Sequence, residues 1–64
     1  MTRVRRGGYV FLTWKGDHAP RHVHVLRGGR LILKWNLEKQ VPIVGTPSRR
    51  LLELITKLDT EGSL

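Results

Sequence analysis

The stretch that decides the fold runs from residue 22 to residue 35 and reads HVHVLRGGRLILKW. Polar and apolar residues alternate from His22 to Val25, Leu26 is apolar, and a largely apolar run follows Gly28 and Gly29. A glycine pair readily adopts the positive φ angles that a two-residue hairpin turn requires. The stretch therefore predicts an antiparallel β-hairpin with the two glycines as its turn.

The hairpin turn also predicts which residues share a face of the sheet. With the two glycines in the turn, Arg27 pairs with Arg30, and directly paired residues project to the same side. One face then carries His22, His24, Leu26, Leu31, Leu33 and Trp35. The other face carries Val23, Val25, Arg27, Arg30, Ile32 and Lys34. A slip of one residue in this register would move side chains to the opposite face.

Local patterns before and after the hairpin predict further β structure. Residues 9–14 are expected to form a strand, and residues 2–6 either a short edge strand joined to it by the first glycine pair or a loose basic arm. Pro42 argues against a central strand, so the segment 37–45 is expected to be a loop. Both tryptophans are assigned to the core, since large aromatic side chains dominate the packing of small domains.

The last third of the chain predicts one amphipathic helix. Thr46 is suited to cap this helix, Pro47 to open it and Gly62 to end it. The apolar stripe that would pack on the sheet consists of Leu51, Leu54, Ile55 and Leu58. We therefore expect a single α+β domain over residues 1–64, in which one C-terminal helix packs on an antiparallel sheet of three to four strands.

The charge of the chain is concentrated in its first half. Twelve Lys and Arg against five Asp and Glu give a formal net charge of +7. Through Asn36 there are eight basic residues and one acidic residue, whereas four of each cancel from Leu37 onward. This asymmetry favours an anionic partner, with nucleic acid ahead of an acidic protein. The candidates for phosphate contacts are Arg21, Arg27, Arg30 and Lys34.

Cysteine is absent from the chain, which excludes disulfides and thiolate metal sites. No apolar run approaches the roughly 20 residues that a membrane-spanning helix needs. These two features predict a cytoplasmic protein with no membrane segment.

All three histidines lie in the stretch 16–25, which reads GDHAPRHVHV. His22 and His24 are candidates for acid and base catalysis on a phosphodiester, because imidazole titrates near neutral pH. With Asp17 and His18 they are also candidates for a site that binds Zn²⁺ or another divalent metal. In the third interpretation His24, with His22 beside it, is structural, partly buried between Leu33 and Trp35 and hydrogen-bonded to backbone groups.

The segment 17–25 resembles the D-H-x-P-x-H-x-H-V signature of a family of very small bacterial proteins of unknown function. The likeness extends to Gly28-Gly29 and to the segments 33–37 and 48–52. The chain departs from the family pattern at Arg21, where the family often has a second proline. The resemblance implies a cytoplasmic bacterial protein encoded beside another small gene, in an arrangement similar to toxin and antitoxin pairs. It implies no particular activity.

Charge and resemblance together predict a small basic protein that binds nucleic acid, with RNA as the expected ligand, in a bacterial toxin-antitoxin-like module. This function would need no cofactor. Two alternatives stay open. One is a metal-binding protein or small hydrolase built on the histidines and Asp17, and the other is a non-enzymatic module for an acidic partner chain encoded nearby. The sequence also leaves open whether the chain is an enzyme and whether it forms a homodimer.

Overall fold

The computed structural model describes residues 2–14 and 21–64. In order, these residues form β1 (Thr2–Arg6), β2 (Tyr9–Thr13), β3 (His22–Arg27), β4 (Arg30–Asn36), β5 (Val41–Val44) and α1 (Arg49–Thr60). The five strands make one antiparallel sheet in which each strand lies beside its neighbour in sequence. The α+β class with one C-terminal helix is confirmed, and the sheet has five strands where three to four were predicted.

The additional strand, β5, lies in the segment 37–45 that was predicted to be a loop. The side-chain oxygen of Asn36 accepts hydrogen bonds from the N–H groups of Glu38 and Lys39, both at 2.9 Å, and so turns the chain back. Pro42 is tolerated because β5 is an edge strand, which needs backbone donors on one side only. The loop prediction was wrong because a proline argues only against an interior strand.

The pairing of β3 with β4 departs from the predicted register at one residue. Arg27 pairs with Arg30 as predicted, but Val25 pairs with Leu33 and leaves Ile32 as the extra residue of a β-bulge. Beyond the bulge His24 pairs with Lys34 instead of Leu33. The prediction that His22 and His24 share a face with Leu33 and Trp35 was therefore wrong.

The core lies between α1 and one face of the sheet. The sheet contributes six buried apolar residues, which are Phe11, Val23, Val25, Leu33, Trp35 and the adjoining Leu37. The predicted helix stripe is confirmed in Leu51, Ile55 and Leu58, while Leu54 packs at its margin. Within the described residues no helix is long and apolar enough to cross a membrane.

The two ends of α1 show how its length is set. Ser48 is the N-cap, so the prediction of Thr46 as cap and Pro47 as first helical residue was wrong. The predicted stop is confirmed, since Gly62 has φ 79° and donates to the carbonyl of Asp59 at 3.1 Å. A second bond from Ser63 N–H to the Leu58 carbonyl, at 2.9 Å, completes a Schellman motif.

Candidate nucleic-acid interface

The sheet face that α1 leaves uncovered, called the open face below, is an array of rows that run across the strands. Successive side chains of a strand alternate between faces, and paired residues share a face. The first row consists of Arg5, Val10, Leu26 and Leu31. The second row consists of Arg3, Leu12, His24, Lys34 and Val44. The third row contains His22, Asn36 and Val41.

His22 and His24 lie on this open face, half-buried and beside each other. Their ring centroids are 5.1 Å apart. The indole of Trp14 meets the ring of His24 edge-on, with centroids 4.8 Å apart and planes at 86°. His22 and His24 are partly buried, as in the third interpretation, but they lie on the uncovered face and not between Leu33 and Trp35. The structure brings together an aromatic ring and two imidazoles.

The two tryptophans have different environments. Trp35 is 6% exposed and belongs to the core as predicted, but Trp14 is 39% exposed. The core assignment of Trp14 was wrong because alternation along the chain puts it on the side of Val10 and Leu12, which α1 does not cover.

The carboxylates of the helix are matched by arginines. Arg6 donates to both oxygens of Glu61, at 3.2 and 3.4 Å. This hydrogen bond is the main reason why the pKa of the Glu61 carboxyl is lowered from its ordinary value. Two further ion pairs of the described residues join Arg21 to Asp59 at 3.7 Å and Arg49 to Glu53 at 3.5 Å.

Among the described residues, the cations of the open face form no ion pairs of this kind. Among residues 2–14 and 21–64, no carboxylate lies within ion-pair distance of Arg3, Arg5 or Lys34. Within the described residues, the ion-paired carboxylates thus lie on the helix side, apart from the three cations of the open face. This separation makes the open face an anion-attracting surface.

The four predicted phosphate-binding residues do not form one cluster. Lys34 lies beside His24 on the open face. Arg27 and Arg30 flank the hairpin turn, and the Arg27 guanidinium lies 5.6 Å from the centre of the Tyr9 ring. Arg21 faces the end of the helix, where it also donates to the Leu64 carbonyl at 3.3 Å.

Two cations of the interface were missed by the sequence reasoning. Arg3 and Arg5 are exposed on edge strand β1 and point to the same side as the histidines. The signal was present in the alternation of residues 2–6, TRVRR, since arginines two apart on a strand share a face. Using that signal required knowing which face of β1 the helix covers.

A groove of about 680 Å³ opens beside these arginines at the turn end of the sheet. Its walls include Arg3 and Arg5, and its apolar lining includes Val10, Leu12 and Leu26. Both glycine turns, at residues 7–8 and 28–29, border it.

The proposed metal ligands are only partly described. His22 and His24 are adjacent, whereas Asp17 and His18 lie outside the described residues. Within the described part of the chain, no group of three or more His, Asp or Glu side chains is arranged to hold a metal ion. Binding of Zn²⁺ by the four-residue set therefore stays a prediction.

Comparison of the chain with protein-family models, with curated proteins and with solved structures found no match. The resemblance to the family with the D-H-x-P-x-H-x-H-V signature accordingly stays a prediction.

Proposed function

We propose that this protein binds nucleic acid, with single-stranded RNA as the ligand, through the open face of its sheet. The observation that carries the proposal is the placement of the carboxylates, which in the described residues form ion pairs on the helix side and lie out of ion-pair reach of the open-face cations. Arg3, Arg5 and Lys34 meet no carboxylate of the described residues, while the helix carboxylates have arginine partners. Cations held in this way are available to phosphates.

The side chains between these cations suit a single strand better than a duplex. Trp14 is 39% exposed, and its ring, which packs at 86° against that of His24, offers an aromatic surface on which a base can stack. Apolar residues such as Leu12 lie between Arg3 and His24 in the same row. Unpaired bases stack on such rings and apolar surfaces, whereas the bases of a duplex are already stacked on each other.

The first test measures how RNA affinity depends on salt and on Lys34. For a short labelled single-stranded RNA, log K should fall linearly with log salt concentration, with a slope of about −0.7 for each phosphate contact. Lys34→Gln should weaken binding and make that slope shallower by about 0.7. Fluorescence anisotropy at several salt concentrations gives both quantities.

Lys57→Gln is the matched control, because it removes the same charge from the exposed side of α1. It should leave the affinity and the slope close to the wild-type values. Binding that does not respond to salt, or equal losses in the two lysine variants, would contradict an RNA interface on the open face.

Catalysis by His22 and His24, metal binding and an acidic partner chain stay predictions of the sequence. The toxin-antitoxin-like gene pair likewise stays a prediction of the family resemblance. The proposal of RNA binding depends on none of them.

A further inference from the structure

We infer that the groove at the turn end of the open face is a subsite for one nucleotide, which holds the base on an apolar floor and the phosphate between two arginines. The floor consists of Val10, Leu12 and Leu26, and the arginines are Arg3 and Arg5. The inference deepens the proposed function and rests on it, since the nucleotide would belong to the bound RNA strand.

The size and shape of the groove suit a ligand of this kind. Its volume of about 680 Å³ lies within the range of roughly 300 to 1,000 Å³ that is typical of small-molecule sites. Three glycines of the turn end, Gly8, Gly28 and Gly29, have no atoms within 4 Å of the position where a Cβ would stand, whereas side chains of the helix approach Gly7. A planar group can therefore enter from that end.

The groove has an apolar floor and a positively charged edge. Val10 pairs with Leu26 across β2 and β3, and Leu12 lies one pleat further along the same face, so three half-buried aliphatic side chains adjoin. Arg3 and Arg5 project from edge strand β1 about 6.5 to 7 Å apart, the spacing of residues i and i+2 on a strand. An apolar ring carrying an anionic group is complementary to both parts.

The groove is continuous with the rest of the proposed interface. Leu12 pairs with Arg3 on one side and with His24 on the other. His24 in turn pairs with Lys34. A strand that places one nucleotide in the groove would pass next to the imidazoles and then to Lys34.

The experiment is an NMR titration of the whole chain with adenosine 5′-monophosphate. Binding in the groove should shift the methyl signals of Val10, Leu12 and Leu26. Ribose 5-phosphate and inorganic phosphate, which lack the base, should shift signals of Arg3 and Arg5 and leave those methyl groups nearly unchanged. Equal methyl shifts with inorganic phosphate would overturn the inference, because they would show an anion site without a place for the base.

A charge-matched pair of double variants tests the arginines. Arg3→Gln with Arg5→Gln should weaken binding of adenosine 5′-monophosphate about tenfold, the effect of losing charge-assisted hydrogen bonds to the phosphate. Arg49→Gln with Lys57→Gln removes two positive charges from exposed positions of α1 and should leave the affinity unchanged. Equal weakening would overturn the inference. An unchanged pattern of amide signals verifies that each variant is folded.

The two proposals can fail separately. If RNA binding depends on Lys34 but the mononucleotide leaves the groove methyl groups unmoved, the subsite is wrong and the interface stands. If the mononucleotide moves them and RNA does not bind, the groove is a nucleotide site and the proposed function is wrong.

Discussion

Ser48 caps the helix although Thr46 carries the same kind of hydroxyl group two residues earlier. The Ser48 Oγ accepts a hydrogen bond from the Leu51 N–H at 3.1 Å, and the Ser48 backbone is extended, with φ −78° and ψ 162°. This conformation aims the hydroxyl at the first turn of the helix, whose N–H groups have no partner within the helix. One side chain thus sets the start of α1.

Ser48→Ala should lower the free energy of unfolding by about 1 kcal/mol, because a first-turn N–H loses its acceptor. Thr46→Ala removes a hydroxyl from an exposed position outside the helix and should change the free energy by less than about 0.5 kcal/mol. Urea unfolding followed by circular dichroism measures both variants. Equal losses would contradict the assignment of Ser48 as the cap.

At the scale of elements, the open face depends on the β-bulge at Ile32. The bulge shifts the pairing of every later residue of β4 by one position, which puts Lys34 beside His24. The segment that follows β5 packs directly on the bulge. Gly45 lies there with φ +85°, and a Cβ at this position would collide with the Ile32 carbonyl oxygen.

Gly45→Ala should therefore destabilise the fold more than Gly29→Ala. Both glycines have positive φ, at +85° and +77°, and alanine is strained at either position. Only Gly45 also lacks room for a methyl group, so its variant should lose about 1 to 3 kcal/mol more. Thermal and urea unfolding measure the difference, and equal losses would show that the bulge and the segment after β5 are not closely packed.

At the scale of the whole molecule, arginines of the sheet side tie the end of the helix to the first and third strands. Arg6, at the end of β1, binds Glu61, and Arg21, just before β3, binds Asp59. These contacts pair cations of the basic first half of the chain with carboxylates of the second half. Within the described residues, the cations of the open face and of the hairpin turn have no carboxylate within ion-pair distance.

Arg6→Gln should remove a part of the stability that depends on pH. The pKa of Glu61 lies below its ordinary value of 4.5, mainly through the hydrogen bond from Arg6. A lowered carboxyl pKa contributes stability above the unfolded-state pKa, and this contribution is lost as the pH falls through the folded-state pKa. The Tm of Arg6→Gln should thus lie below that of the wild type at neutral pH and converge with it in acid.

Arg30→Gln is the control for this pH series. It removes the same charge from the hairpin turn, where no carboxylate of the described residues lies within ion-pair distance. The difference in Tm between Arg30→Gln and the wild type should not shrink as the pH falls. A deficit of Arg6→Gln that stays constant from neutral to acid pH would rule out the ion pair as its cause.

Much of the fold follows from local sequence patterns. The pairs Gly7-Gly8 and Gly28-Gly29 have positive φ at all four residues, as two-residue hairpin turns require, and the strands on either side pair as predicted next to each turn. Leu51, Ile55 and Leu58 form the buried stripe, and Gly62 ends the helix. These features involve residues close together in the chain, so short-range periodicity and turn chemistry suffice to predict them.

The sequence by itself therefore determined the α+β class, the glycine turns, the helix stripe and the excess charge of the first half. Only the tertiary structure decided that His22 and His24 face away from the helix, together with Arg3, Arg5 and Lys34. The physical reason is that one bulged residue moves all later side chains of its strand to the opposite face. Nothing in the local sequence distinguishes Ile32 from a residue that is paired in the ladder. Which face of the sheet is covered depends on where a helix distant in sequence packs, and no local sequence pattern predicts that contact.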